Sequence, residues 1–166
     1  NEISKIDEID FIRKLHPVYK AIKKVSENNL IKNKNLIGFV GAPWTLLVYM
    51  INRHSPKREL IKGFFKDKSL LNKILLILEK FIRLHIREQI KNGATIIQIF
   101  DSWAGLLDEK DLPNYVYTPT LNLVNYVKSL KIPVICFPRG IKDYKNYCKT
   151  VMPDVINIDY NVDPIL

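Results

Sequence analysis

The chain has 166 residues, is 47% hydrophobic and carries 26 Lys and Arg against 17 Asp and Glu, for a net charge of +9. That length bounds the answer to one domain with a sizeable core, and two cysteines with three histidines make neither a disulfide framework nor a metal-ligand set. The positive charge would suit a polyanion, but the lysines are spread along helical stretches as a solvated surface, so no nucleic-acid role is expected, and with neither an 18-residue apolar span nor a leader pattern the expectation is a soluble cytoplasmic protein with no membrane role.

The first 35 residues read as helical, with Phe11, Leu15, Val18, Ile22 and Val25 recurring every three or four positions. Asp10 or Ser4 would cap the start, and Pro17 would begin a second segment or kink the first. From Leu36 to Val40 the residues are short, apolar and turn-bounded, as in a buried strand; the chain then turns through Gly41, Ala42 and Pro43 into a helix carrying Trp44 to Ile51. Ser55 and Pro56 are placed as N-cap and first residue of another helix through Phe65.

A long helix is predicted over 69–92, its apolar face formed by Leu71, Ile74, Leu75, Leu78, Ile82 and Ile86, with Gly93 as its stop. ATIIQIF is a strand running into Asp101. Thr118 with Pro119 behind it opens a helix through Leu123, Val127 and Leu130 to Lys131. VICF (134–137) is a third strand, 142–149 a short helix and VINID (155–159) a fourth strand.

Strands flanked by helices, with β-branched residues that do not alternate with polar ones, predict a parallel sheet covered on both faces. An open doubly wound sheet and a (β/α)8 barrel both fit. Four strands are half of a barrel, which typically needs about 250 residues, so in a barrel this chain is expected to be a piece.

In either architecture ligands bind beyond the carboxyl ends of the strands, which singles out 41–43, 101–105, 138–140 and 159–163. Gly38 and Gly41 form neither a dinucleotide nor a Walker motif. Tyr49 could face the pocket mouth or pack in the core with a satisfied hydroxyl. Ser102 could face the pocket or cap the turn after Asp101, and Asp101 itself could cap or orient the loop. Arg139 could meet an anionic ligand or lie in solvent. His16, His54 and His85 have no carboxylate and nucleophile at a telling spacing, so no Ser-His-Asp or Cys-His arrangement is supported. Asp101 and Asp159 are too few for a glycosidic acid/base pair, and Cys136 and Cys148 read as reduced cysteines in or beside a late α/β segment.

With those residues assembled, the chain resembles the uroporphyrinogen decarboxylase family, on GFVGAPWTLLVYM (38–50), IIQIFDSWAG (96–105), ICFPRG (135–140) and INIDYNVDP (156–164), in that order. The resemblance implies a cofactor-free and metal-free (β/α)8 TIM barrel, of which 1–166 would be the central part of a single domain. It implies conversion of uroporphyrinogen III to coproporphyrinogen III by loss of carbon dioxide from four acetate side chains, in a homodimer at full length. It places the family's tyrosine on Tyr49 and its serine on Ser102, as catalytic and substrate-binding groups, with Arg139 as a local partner for substrate carboxylates. Further arginines, an aspartate and a late histidine would come from outside this stretch. Two other readings stay open: a noncatalytic piece of that barrel, and a methyltransferase of related fold, for which Cys136 has no neighbouring zinc ligand.

Overall fold

The computed structural model describes residues 7–53, 55, 60, 63 and 65–164. Helix α1 (Glu8–Ser26) is capped by Asp7, whose carboxylate accepts from the Ile9 amide at 3.1 Å. Asp10 is instead inside the first turn, paired with Arg13 and Lys14, while Ser4 lies outside the described residues. Pro17 sits within α1, which continues as one helix past it.

Strand β1 (Ile37–Gly41) leads into α2 (Pro43–Asn52), with Pro43 in the first turn, where its missing N–H costs nothing. The helix expected from Ser55 and Pro56 to Phe65 falls mostly outside the described residues, as does His54. Helix α3 (Lys68–Lys91) is capped by Asp67 onto the Leu70 amide, and Gly93 follows its end at φ +112°. After β2 (Ile96–Asp101) come a short 3₁₀ turn and a π-helical turn (Pro113–Tyr117) that runs directly into α4 (Thr118–Ser129). Thr118 is therefore not a cap: the chain is already helical at Tyr117. Strand β3 (Val134–Pro138), helix α5 (Tyr144–Val151) and the two-residue β4 (Val155–Ile156) complete the order. The fourth strand is shorter than the expected 155–159, because Asp159 leaves the sheet to hold the loop after β3.

The four strands are parallel in the order β1-β2-β3-β4, with Val40 opposite Ile99 and Ile99 opposite Cys136. Alternation places Val40, Ile97, Ile99, Val134 and Cys136 on one face, buried where α3 packs on β1, α2 on β2 and α4 on β3. The expectation of cover on both faces is corrected by the other set. Ile37 and Phe39 are exposed, Phe39 by 63%, and an aromatic row runs from Phe39 through Phe100 to Phe137 with centroid spacings of 6.0 and 6.4 Å. Sequential parallel strands with helices on one face have the arrangement of a barrel wall; a doubly wound sheet carries helices on both.

The free edge of β1 is closed by a side chain. Gln89 of α3 accepts from the Phe39 amide at 3.1 Å and donates to the Phe39 carbonyl at 3.0 Å, so one amide group copies the bonds a neighbouring strand would make. No described helix is long and apolar enough to cross a membrane.

Candidate functional site

The carboxyl edge is built from the two junctions that follow β1 and β2. At the first, Ala42 is fully buried and donates its amide to the Phe100 carbonyl at 2.8 Å, and the missing side chain of Gly41 makes room for Leu46 as α2 turns back over the sheet. Trp44 is wholly buried, its ring stacked on Phe65 and tilted against Tyr115.

The first turn of α2 grips the second junction. The Thr45 hydroxyl donates to Asp101 Oδ1 at 2.7 Å and accepts from the Trp103 amide at 3.3 Å, while Trp44 Nε1 donates to the Trp103 carbonyl at 2.8 Å. Both backbone polar groups of Trp103 are thus held by two consecutive side chains of α2. One turn further along α2, Tyr49 sets its ring edge-on to the Trp103 ring with centroids 6.0 Å apart, and is 42% exposed. Ser102 is half-buried between the two anchored residues Asp101 and Trp103.

Asp101 points toward the helices, since it follows Ile97 and Ile99 on the same face of β2. Burial pushes its carboxyl up to about 7, against the opposing effect of the Thr45 hydrogen bond. Its carboxyl group ties the end of β2 to the first turn of α2. Behind it Cys136 and Tyr147 are buried as well. Desolvation raises the Cys136 thiol to about 12 and the Tyr147 phenol well above its usual value, so both are neutral groups and poor nucleophiles.

Arg139 joins the same edge through its backbone: its amide donates to the Asp101 carbonyl at 3.1 Å, and its carbonyl accepts from the Gly105 amide at 3.0 Å. The guanidinium is outward and 60% exposed, with Nε 4.0 Å from Asp159 Oδ1, too long for a hydrogen bond. Asp159 is committed to the Gly140 amide at 2.6 Å and the Tyr144 hydroxyl at 2.7 Å. Both bonds use Oδ2, as in a loop anchor, while Oδ1 keeps an ion pair with the Arg139 guanidinium.

Tyr49 thus touches the residue after Ser102, and the Arg139 backbone is bonded to Asp101 and Gly105 on either side of them. His85 is elsewhere, bonded to Tyr19 at 3.1 Å between α3 and α1, with its pKa lowered by burial. Glu79, buried on α3 with its carboxyl raised by desolvation, is bonded to Asn122 at 3.0 Å across to α4, on the far side of the helices. Among the described residues no group of three His, Cys, Asp or Glu side chains is placed to hold a metal ion. Sequence reasoning missed Thr45 as part of this edge and gave Trp44 and Trp103 no role in it. The available signal was the period of two, which puts Asp101 on the helix side with Ile97 and Ile99, where it needs a polar partner from α2.

The family model described as uroporphyrinogen decarboxylase matches residues 1–165. A uroporphyrinogen decarboxylase of Campylobacter jejuni is 41% identical over 147 residues, covering 86% of this chain and 43% of the relative. One from Orientia tsutsugamushi is 41% identical over 155 residues, covering 90% of this chain and 45% of the relative. One from Rickettsia bellii is 40% identical over 152 residues, covering 88% and 44%. The chain spans less than half the length of these relatives.

Proposed function

Because the chain belongs to the uroporphyrinogen decarboxylase family, we propose that it supplies one wall of a cytoplasmic, homodimeric (β/α)8 enzyme. That enzyme converts uroporphyrinogen III to coproporphyrinogen III without metal or organic cofactor. The observation that supports this reading is the contact of the Tyr49 ring with the ring of Trp103, the residue next to Ser102.

The chemistry asks for a site of this kind. Loss of carbon dioxide from an acetate leaves an electron pair on the methylene carbon, so the attached pyrrole must first take a proton and become an electron sink. Cleavage of the C–C bond releases carbon dioxide and sends its electron pair into the ring; reprotonation of the methylene carbon gives the methyl group, and the ring proton is released. Hydroxyl groups of Tyr49 and Ser102 orient the departing carboxylate, a contribution of position more than of charge. The exposed guanidinium of Arg139 pairs with another carboxylate of the same polyanionic substrate. The remaining charged and hydrogen-bonding groups come from outside this segment, whose apolar sheet face, with Phe39 at 63% exposure, suits cover by inward-facing side chains of further barrel strands.

An anaerobic assay following coproporphyrinogen formation, with and without chelator, tests the reading on the full-length protein that carries this segment. Tyr49→Phe and Ser102→Ala are each expected to lower turnover by about a hundred- to a thousandfold, the usual cost of losing one preorganised donor. The 166-residue segment alone is expected to show no turnover. Absence of product from the unsubstituted full-length protein sinks the proposal, and loss of activity in chelator sinks its metal-free chemistry.

A further inference from the structure

We propose that Thr45 is a positioning residue for the decarboxylation: its hydroxyl, shared between Asp101 and the Trp103 amide, sets where Ser102 and Tyr49 stand relative to each other. The inference rests on the decarboxylase reading of this edge and assigns no contact between Thr45 and substrate.

Three observations carry it. The Thr45 hydroxyl uses its proton on Asp101 Oδ1 and a lone pair on the Trp103 amide, so one oxygen fixes the residues on both sides of Ser102. Its neighbour Trp44 holds the Trp103 carbonyl, which leaves the Trp103 ring positioned from α2 on both sides of its peptide, and that ring is the surface against which Tyr49 rests. The unit is also dry: Thr45 and Asp101 are buried, and Asp101 Oδ2 has no hydrogen-bond partner among the described residues, so Thr45 supplies the carboxyl group's one side-chain hydrogen bond there. A buried polar group that loses its one partner keeps its desolvation cost with nothing to offset it. The spacing of Tyr49 and Ser102, which lie on different elements, is thereby tied to one hydroxyl in the first turn of α2.

A merely structural threonine would affect stability alone. A positioning one acts through Ser102 and Tyr49, and its effect must shrink when one of them is already gone. The test uses the full-length protein with Thr45→Val, Thr45→Ser and Ser102→Ala, singly and with Thr45→Val combined with Ser102→Ala. Thr45→Val is expected to lower kcat by about thirty- to a hundredfold, since a displacement of the order of an ångström is enough for a loss of that size, with KM changed by less than about threefold. Thr45→Ser, which restores the hydroxyl, is expected to recover kcat to within about threefold of the unsubstituted protein. In the Ser102→Ala background the valine substitution is expected to cost less than about fivefold. If Thr45→Val does not fold, Thr45→Ala removes the same hydroxyl without a second methyl and repeats the comparison.

An equal loss in both backgrounds, or a loss that serine does not recover, overturns the proposal. Amide exchange at Trp103 gives a readout free of activity: it is expected to accelerate by at least about tenfold in Thr45→Val and to return with serine. If the unsubstituted protein forms no coproporphyrinogen, the decarboxylase reading fails, and an unchanged Trp103 exchange rate then overturns the positioning role on its own.

Discussion

Gly105 and Gly140 cross backbone to backbone where the loops after β2 and β3 leave the sheet: a Cβ on Gly105 would lie 2.6 Å from the Gly140 carbonyl oxygen and 2.8 Å from its Cα. The same crossing carries the hydrogen bond from the Gly105 amide to the Arg139 carbonyl, and Gly140 takes φ +80°, a conformation that suits glycine. Gly105→Ala has no flexible side chain to push aside and must separate the two loops. Its expected cost is about 1–3 kcal/mol, the range for overpacking, read by urea unfolding. A change below about 0.5 kcal/mol would mean the loops part freely.

Gln89 offers a donor and an acceptor to one residue of β1, and the two can be separated by substitution. Gln89→Glu keeps an acceptor for the Phe39 amide and loses the donor to the Phe39 carbonyl, at a buried position. Gln89→Leu loses both. Each unpaired buried backbone group costs about 1–3 kcal/mol, so both variants should unfold at lower urea than the unsubstituted chain, and the leucine variant should also self-associate through the uncovered edge. Light scattering with urea unfolding checks both; unchanged midpoints would show that water replaces the glutamine at no cost.

Much of the wall was legible because apolar periodicity and punctuation agree. Pro43 at the start of α2, Gly93 after α3 and the runs at 94–100 and 134–137 are local signals, and they place the elements within a residue or two. What was not legible is which surfaces meet. Phe39 and Phe100 are as apolar as Ile97 and Ile99, so composition implies cover on both faces, yet among the described residues the helices pack on one face. Thr118 reads as a cap from its neighbour Pro119, but the preceding π-helical turn has already set the helix, and that turn depends on packing of Tyr115 and Tyr117. At the site, Ser102 and Arg139 follow strand ends directly, whereas Tyr49 stands within α2 and was singled out by the family resemblance. The link through Thr45 was not legible, because its partners are 56 and 58 positions away in the chain.

The two faces of β1 and β2 should answer differently to substitution in the isolated segment. Phe39→Ser removes a side chain that is already 63% exposed, so stability is expected to change by less than about 0.5 kcal/mol while binding of an apolar dye falls. Ile97→Ala, on the fully buried face, is expected to cost about 2–5 kcal/mol. Denaturation and dye fluorescence on the same three proteins decide it. A large stability loss from Phe39→Ser would mean that its face is covered in the isolated segment, by self-association or by rearrangement.

Asp101 makes stability depend on pH with a sign that can be worked out. Burial raises its carboxyl from an ordinary 3.8 to about 7, and the Thr45 hydrogen bond offsets part of that rise. Between those values the folded chain keeps a proton that the unfolded chain has released. The stabilisation is therefore complete below about pH 4 and is lost as pH rises through about 7, with a slope of at most about 1.4 kcal/mol per pH unit. Cys136 and Tyr147, the other ionisable groups near Asp101, are held well above this window by their burial and stay neutral through it. Asp101→Asn preserves an acceptor for Thr45 and removes the titration. Subtracting its unfolding free energy from that of the unsubstituted chain, at each pH from 4 to about 8, cancels the carboxylates and histidines the two share. The difference is expected to fall steadily toward neutral pH and then flatten. A difference that stays level, or one that grows with pH, would show that Asp101 is ionised in the fold and that a group other than Thr45 meets its charge.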